Sequence, residues 1–374
     1  MYRLVAWDIE KIGLDWFDRN TDTSTFEMID VIATDETEMG ISIELLMDYS
    51  DEWDYLIVLT RRFQSMAAEI IEKCGIPMER VIFPLDAYSL CDHSEFARQV
   101  FTNNVDRRIA WATQKRLHEY VTCSVDGLSY ISRSSDNCII ANMYVDNENW
   151  AKKDMERFYN LSKKFYSFTD DQNVFCDIGA NIGTTCIYFK KKLDPEIRIL
   201  AIEPVESNYT LLKINMLLNG LDHDKEILLQ YAVGEKDEES EIYISKDNSG
   251  GNSIVSKSSG ETQKITIRSF DHVLEEYQIN PAQIKYMWVD VEGYEIQFVK
   301  GALNTLRRYD IPIVMEFIPE VVKSNEGVEN YINILKQVYS GLVIMQEQGD
   351  IVHRMEDLLL YADHEVGFDL FLLK

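Results

Sequence analysis

The sequence predicts an α/β protein built from two doubly wound units of unequal size joined by a mixed connector, and three observations carry that reading. Short apolar runs alternate with stretches of helical periodicity in two separate parts of the chain, the pattern of parallel sheets flanked by helices. The later series holds seven such runs, with helices between the first five. A glycine-bearing turn, Asp177-Ile178-Gly179-Ala180-Asn181-Ile182-Gly183, separates its first run from its first helix.

In the early series, strands are expected at residues 3–7 (RLVAW), 28–34 (MIDVIAT), 55–60 (YLIVLT) and 80–83 (RVIF). A helix over 63–74 precedes the last of them, because Met66, Ile70 and Ile71 recur at helical spacing and Gly75 and Pro77 follow as stop signals. Residues 1–88 thus form the first domain. Residues 89–172 form the connector, with a helix over 94–120, a hairpin over 128–145 turning on Ser134-Ser135-Asp136-Asn137, and a helix over 150–166 whose Met155, Phe158, Leu161 and Phe165 share one side. Residues 173–374 form the last domain, with strands at 174–177, 198–203, 227–233, 286–290, 311–317, 342–346 and 368–373. The polar stretch 234–260, which contains Gly250-Gly251, reads as a mobile surface loop.

Composition narrows the function classes. The 374 residues suffice for two or three domains, and 46% hydrophobic content is too high for a disordered chain. A net charge of −27 repels phosphate backbones and anionic lipids, and the basic runs Lys190 to Lys192 and Arg307-Arg308 are too short to offset it. No nucleic-acid partner and no membrane span are expected. Six dispersed cysteines without C-x-x-C spacing, and a start lacking a basic segment followed by an apolar one, make the cytoplasm the expected compartment.

The turn at 177–183 resembles the dinucleotide fingerprint but is G-x-N-x-G, one residue shorter, with Asn181 where the middle glycine would admit a pyrophosphate. Asp177 would repel that group as well. A carboxylate there suits a ligand with positive groups, such as the ammonium and sulfonium of S-adenosylmethionine. A branched side chain at Gly179 is expected to fill ligand space while leaving the protein folded. Glu203, twenty residues after Gly183, ends the second strand, where an acid can accept both ribose hydroxyls. Asp290 and Glu292 follow the fourth strand, and a spacing of two would put both on one face. Glu316 ends the fifth. The ordinary alternatives are a plain glycine turn and solvated or helix-capping acids.

The segments FCDIGANIGTT, AIEPVESNYTLLKINMLLNG, YAVGEKD, GGNSI and WVDVEGYE closely resemble the FkbM-type S-adenosylmethionine-dependent methyltransferases over about 174–374. The resemblance implies a seven-stranded Rossmann-like methyltransferase domain, S-adenosyl-L-methionine as cofactor, and methyl transfer to a hydroxyl, often on a sugar. It assigns cofactor binding to Asp177, Gly179, Asn181, Gly183 and Glu203, and the family's acidic motif falls on Asp290 and Glu292, the two candidates for a general base. Trp288 replaces the Lys common in the family, and is expected to be a core residue. Whether a divalent metal bridges Asp290 and Glu292 stays open, and His223, His272 and His353 are the alternative bases.

The first domain resembles the small Rossmann-like domains that accompany sugar-modifying enzymes. Its Asp8-Ile9-Glu10-Lys11-Ile12-Gly13 puts acids where a dinucleotide fingerprint has its first two glycines, so a docking role for a protein or substrate partner is expected. Three functions compete: a sugar-directed O-methyltransferase, an NAD-dependent sugar oxidoreductase, and a catalytically silent binding module.

Overall fold

The structure is a computed structural model that describes residues 2–9, 24, 26–33, 53–60, 64–77, 80–82, 105–221, 225–245, 248–255, 261–364 and 367–374. The chain divides into two compact units, one of residues 1–123 and 133–148, the other of 124–132 and 149–374.

In the first unit, β1 (Tyr2–Asp8), β2 (Phe26–Ala33), β3 (Tyr55–Leu59) and β4 (Val81–Ile82) form a sheet of order β2-β1-β3-β4. Every pair is parallel. Alternate residues of β1 face opposite layers: Val5 and Trp7 pack with Ala67 and Ile71 of helix Gln64–Lys73, whereas Leu4 and Ala6 pack with Ile57 and Leu59. Residues 10–13 of the degenerate fingerprint lie outside the described residues, as do 83 and 94–104. Of the helix expected over 94–120, the described residues hold helix Val105–Leu117, and the chain leaves it before Tyr120, which opens the next strand.

The hairpin is displaced from its expected position. Strands β5 (Tyr120–Val125) and β6 (Leu128–Arg133) pair around Asp126-Gly127, both at positive φ (51° and 76°), as a two-residue turn demands. Residues 139–146 instead form helix Ile139–Asp146, started by Asp136, whose Oδ1 accepts the N–H groups of Cys138 (3.0 Å) and Ile139 (2.9 Å). The 134–137 run is thus a helix cap, since an aspartate that binds the next free N–H groups ends a loop as effectively as it makes a turn.

The second unit is built on an eight-stranded sheet from β7 (Val174–Ile178), β8 (Arg198–Ile202), β9 (Ile227–Leu229), β13 (Ile284–Val289), β14 (Ile313–Phe317), β15 (Gly341–Ile344), β16 (His353–Arg354) and β17 (Phe368–Leu373). Its order is β16-β15-β17-β14-β13-β7-β8-β9. Strands β14, β13, β7, β8 and β9 run parallel, whereas β17 is antiparallel to both β14 and β15. All seven expected strands are present, and β16 adds an edge.

Two expectations are corrected. The run 227–233 divides: β9 stays in the main sheet, and β10 (Ala232–Gly234) joins a second sheet of order β10-β12-β11. The 234–260 stretch is not simply a loop, because β11 (Glu238–Tyr243) pairs antiparallel with β12 (Thr262–Ser269). Only Ile242 of β11 is buried, so a polar edge strand reads in sequence as a loop.

Helix Lys152–Phe165 buries Met155, Phe158 and Leu161, with Phe165 left at the rim. Phe158 meets Tyr286, Trp288 and Phe371 edge-on at 5.7–6.1 Å, which makes Trp288 a core residue, as expected. Truncating a ring buried this fully costs about 3–5 kcal/mol.

Candidate functional site

Strand order reverses between β7 and β13, and the parallel strands end there side by side. Open α/β sheets bind ligands at such a crevice. Asp177 lies in β7, Glu203 follows β8, Asp290 follows β13 and Glu316 lies near the end of β14. Because β17 runs the other way, its early residue Asp369 pairs with Glu316 and joins the same edge. The structure thus brings together Asp177, Glu203, Asp290 and Glu316, places Glu292 close enough to act on Glu316, and adds Asp369.

Gly179, Asn181 and Gly183 all have positive φ (87°, 50° and 87°), so the turn winds tightly against the sheet. A Cβ on Gly179 would stand 1.8 Å from the Asp290 carbonyl oxygen. The glycine is required by the backbone of the neighbouring strand end, which corrects the expectation that a side chain there would merely fill ligand space in a folded protein. Asp177 is buried, and its Oδ2 accepts the Cys186 N–H (3.1 Å) in the first turn of helix Thr184–Tyr188. Glu203 is buried too, and it accepts the N–H groups of Asn181 (2.8 Å) and Val205 (2.9 Å). Asn181 donates its amide to Ser249 Oγ (3.4 Å), and its buried Oδ1 has no partner among the described residues.

Strand β13 ends at Val289, so strand alternation does not govern Asp290 and Glu292. Both belong to a turn in which Glu292 (φ 51°) and Gly293 (φ 94°) are left-handed. That turn is held by Glu295, which the sequence reading passed over: its Oε1 accepts the N–H groups of Val291 (3.3 Å) and Gly293 (3.2 Å). The Glu292 carbonyl accepts the Ser253 hydroxyl (2.7 Å). Asn208 and Asn252 both donate to the Ser249 carbonyl (2.9 and 2.8 Å), so the GGNSI loop spans from the glycine turn to the acidic turn.

Like charges crowd at this edge, where Asp177, Glu203 and Glu295 are buried, Glu316 and Asp369 are half-buried and Asp290 is exposed. Burial raises Asp177 to about 7, with Asp290 adding to the effect against the Cys186 hydrogen bond. Burial likewise raises Glu203 to about 7 against its two backbone donors. Glu295 and Asp369 reach about 7 for the same first reason, with Asp290 contributing to each. Glu316 is pushed well above the carboxylate range by burial, then by Asp290, Glu292, Glu295 and Asp369. Asp290 retains solvent-accessible surface, yet protein surrounds it densely enough for desolvation to raise it to about 6.

Among the described residues no group of three or more His, Cys, Asp and Glu is arranged to hold a metal ion. His272 pairs with Asp237, and His353 with Glu347 (2.7 Å), so each already faces a carboxylate outside the strand-end row. His223 lies outside the described residues. Among the described residues no helix is long and apolar enough to cross a membrane.

Residues 177–358 match the family model described as the methyltransferase FkbM domain. No curated protein matches the chain. Among solved structures, the chain is similar to methyltransferase FkbM from Methylobacillus flagellatus KT at 14% identity, covering 99% of this chain and 90% of that one with a TM-score of 0.38. It is also similar to the O-methyltransferase TomG from Streptomyces achromogenes, solved with SAM, at 13% identity over 59% and 79% of the two chains with a TM-score of 0.34. A third is TYW2 from M. jannaschii, solved with AdoMet, at 12% identity over 68% and 86% with a TM-score of 0.31.

Proposed function

Given that residues 177–358 belong to the methyltransferase FkbM family, we propose that the protein transfers a methyl group from S-adenosylmethionine to a hydroxyl, on a sugar or glycan precursor. The observation that supports this most is the row of strand-end carboxylates at the point where strand order reverses. Such a row repels pyrophosphate and attracts a cationic cofactor. The residues fit that cofactor: Glu203 keeps lone pairs beyond its two backbone donors for ribose hydroxyls, and the buried Asn181 Oδ1 stands ready for a donor.

When bound, the cofactor supplies an electrophilic methyl, to which the acceptor oxygen bonds as the carbon–sulfur bond breaks. The chain's own share is alignment, exclusion of water and removal of the acceptor proton. Gly179 to Gly183 and Glu203 orient the cofactor, and Asp177 fixes the helix that begins after the turn. Asp290 takes the proton, because an acid at about 6 is ionised at neutral pH yet more basic than an ordinary carboxylate. Glu292, held through its carbonyl by Ser253, is the second carboxylate within reach of that role. In the first unit, Asp8 ends β1 as a buried carboxylate, which opposes a pyrophosphate there and so argues against dinucleotide binding.

Calorimetric titration with S-adenosylmethionine, S-adenosylhomocysteine and NAD tests the reading. Binding of the first two but not NAD is expected. Absence of both would remove the proposed function, and binding with no turnover on a broad glycan panel would leave a silent module.

A further inference from the structure

We propose that Ser249 and Ser253 are positioning residues through which occupancy of the glycine turn by the cofactor sets the geometry of the acidic turn. This rests on the methyltransferase reading above. The two turns follow different strands, β7 and β13, and each holds a residue other than glycine in the left-handed region: Asn181 (φ 50°) and Glu292 (φ 51°). Such backbone persists only where surrounding contacts fix it. One short loop, residues 248–253, bonds to both residues.

At the glycine turn, the Asn181 amide joins ligand space to the loop. Its buried Oδ1 has no partner among the described residues, while its Nδ2 donates to Ser249 Oγ at 3.4 Å, long for such a bond. The amide group is planar, so a cofactor donor that engages Oδ1 also fixes the direction of Nδ2 toward Ser249.

The loop passes that constraint on because it is pinned along its length. The Ser249 carbonyl accepts amide N–H groups from Asn208 (2.9 Å), a buried residue of helix Glu206–Leu218, and from Asn252 (2.8 Å). Asn252 Oδ1 in turn accepts the Ser245 N–H (2.9 Å). Ser253 exchanges both backbone hydrogen bonds with Tyr243 of β11 (2.9 and 3.2 Å), which anchors it to the second sheet. Its buried hydroxyl accepts the Val255 N–H (3.1 Å) and donates to the Glu292 carbonyl (2.7 Å).

The head of the acidic turn is fixed separately, since the Asp290 N–H bonds the Ile178 carbonyl at 2.9 Å. Glu292 and Gly293, further along, take their positions from Glu295 and from Ser253. A bound cofactor therefore orders the acidic turn before the acceptor enters.

The test uses the full chain, as wild type, Ser249→Ala and Ser253→Ala, and follows hydrogen exchange of residues 177–183 and 290–295 by mass spectrometry with and without saturating S-adenosylhomocysteine. In wild type the ligand should slow exchange in both segments, by roughly fivefold in 290–295, as for one hydrogen bond. In each variant 177–183 should keep its protection, and the slowing of 290–295 should fall below about twofold. Coupling is reciprocal, so ligand affinity should drop by no more than the same factor. A merely structural role for Ser253 would speed exchange of 290–295 equally with and without ligand and leave their ratio unchanged. Ser249→Ala, at a half-buried position, carries the test if Ser253→Ala fails to fold. Ligand-dependent protection of 290–295 that persists in either folded variant would overturn the proposal, because the ligand would then act on the acidic turn directly. Bound ligand that leaves 290–295 unchanged in wild type would overturn it as well. Failure of S-adenosylhomocysteine to bind wild type at all is read separately, and brings down the methyltransferase reading together with this one.

Discussion

Gly179 carries two demands at once: a φ of +87° and the absence of a Cβ that would sit 1.8 Å from the Asp290 carbonyl oxygen. The obstacle is main chain, which cannot rotate away as a side chain would. Gly179→Ala is therefore expected to destabilise the protein by more than about 3 kcal/mol, read as a lower urea midpoint, before any effect on ligands is seen. A folded variant of normal stability would show that the two strand ends can separate. Asp290 makes a chemical prediction. As the base, it must lose its proton to act, so the rate should rise with pH through about 6, and Asp290→Asn should lower kcat by about 10² or more and abolish that limb. Normal turnover by Asp290→Asn with an identified acceptor would shift the role to Glu292.

Helix Glu206–Leu218 shows how one element supports the site. Asn215 is fully buried, accepts the Ile131 N–H (2.7 Å), and donates to the carbonyls of Ile131 (3.2 Å) and Ile182 (2.9 Å). Just past its end, Asn219 repeats the exchange with Ser129, accepting at 3.0 Å and donating at 2.7 Å. Two asparagine amides thus act as a strand partner for β6, and the first also fixes the glycine turn through Ile182. Asn215→Ala should cost about 1–3 kcal/mol in unfolding free energy, from the backbone groups left unpaired, and weaken S-adenosylhomocysteine several-fold. Calorimetry that finds wild-type affinity would separate this network from the site.

Across the whole molecule, raised carboxyl pKa values set how stability follows pH. Asp177, Glu203, Glu295 and Asp369 hold protons to about pH 7 in the folded chain and Asp290 to about 6, whereas unfolded carboxyls release theirs near 4. Between those limits the folded state binds more protons, so stability falls as pH rises from about 4 to 7. The net charge of −27 pushes the same way. The cofactor-free protein should melt higher at pH 5.5 than at pH 7.5. A cationic ligand gains as these acids ionise, so S-adenosylmethionine should raise Tm more at pH 7.5 than at 5.5. A Tm that climbs from 5.5 to 7.5 without ligand would mean these acids are ionised at little cost.

Seven of the eight strands of the main sheet were legible because most are short runs buried on both faces, which leaves a continuous apolar signal, while β9 is buried only at Leu229. Glu203 and Asp290 were legible for a related reason, since a carboxylate directly after such a run marks a strand end, and Asp177, within β7, was marked by the glycine turn that follows it. Period-two alternation was also present in β12, where Ile265 and Ile267 are the buried residues, but its polar partner β11 carries little signal of its own. Asp126-Gly127 and Asp136 were both turn signals, and only the packing of helix Ile139–Asp146 decided which made the hairpin and which capped a helix. Glu295, Asp369 and Asn215 stayed hidden because their roles depend on hydrogen-bond partners and like charges brought in by the fold and on water being excluded around them. Local sequence determined the elements and the acids at their ends. Tertiary structure alone decided which acids crowd together and how far that crowding raises their pKa values, because desolvation and like-charge repulsion exist only once distant strands lie side by side.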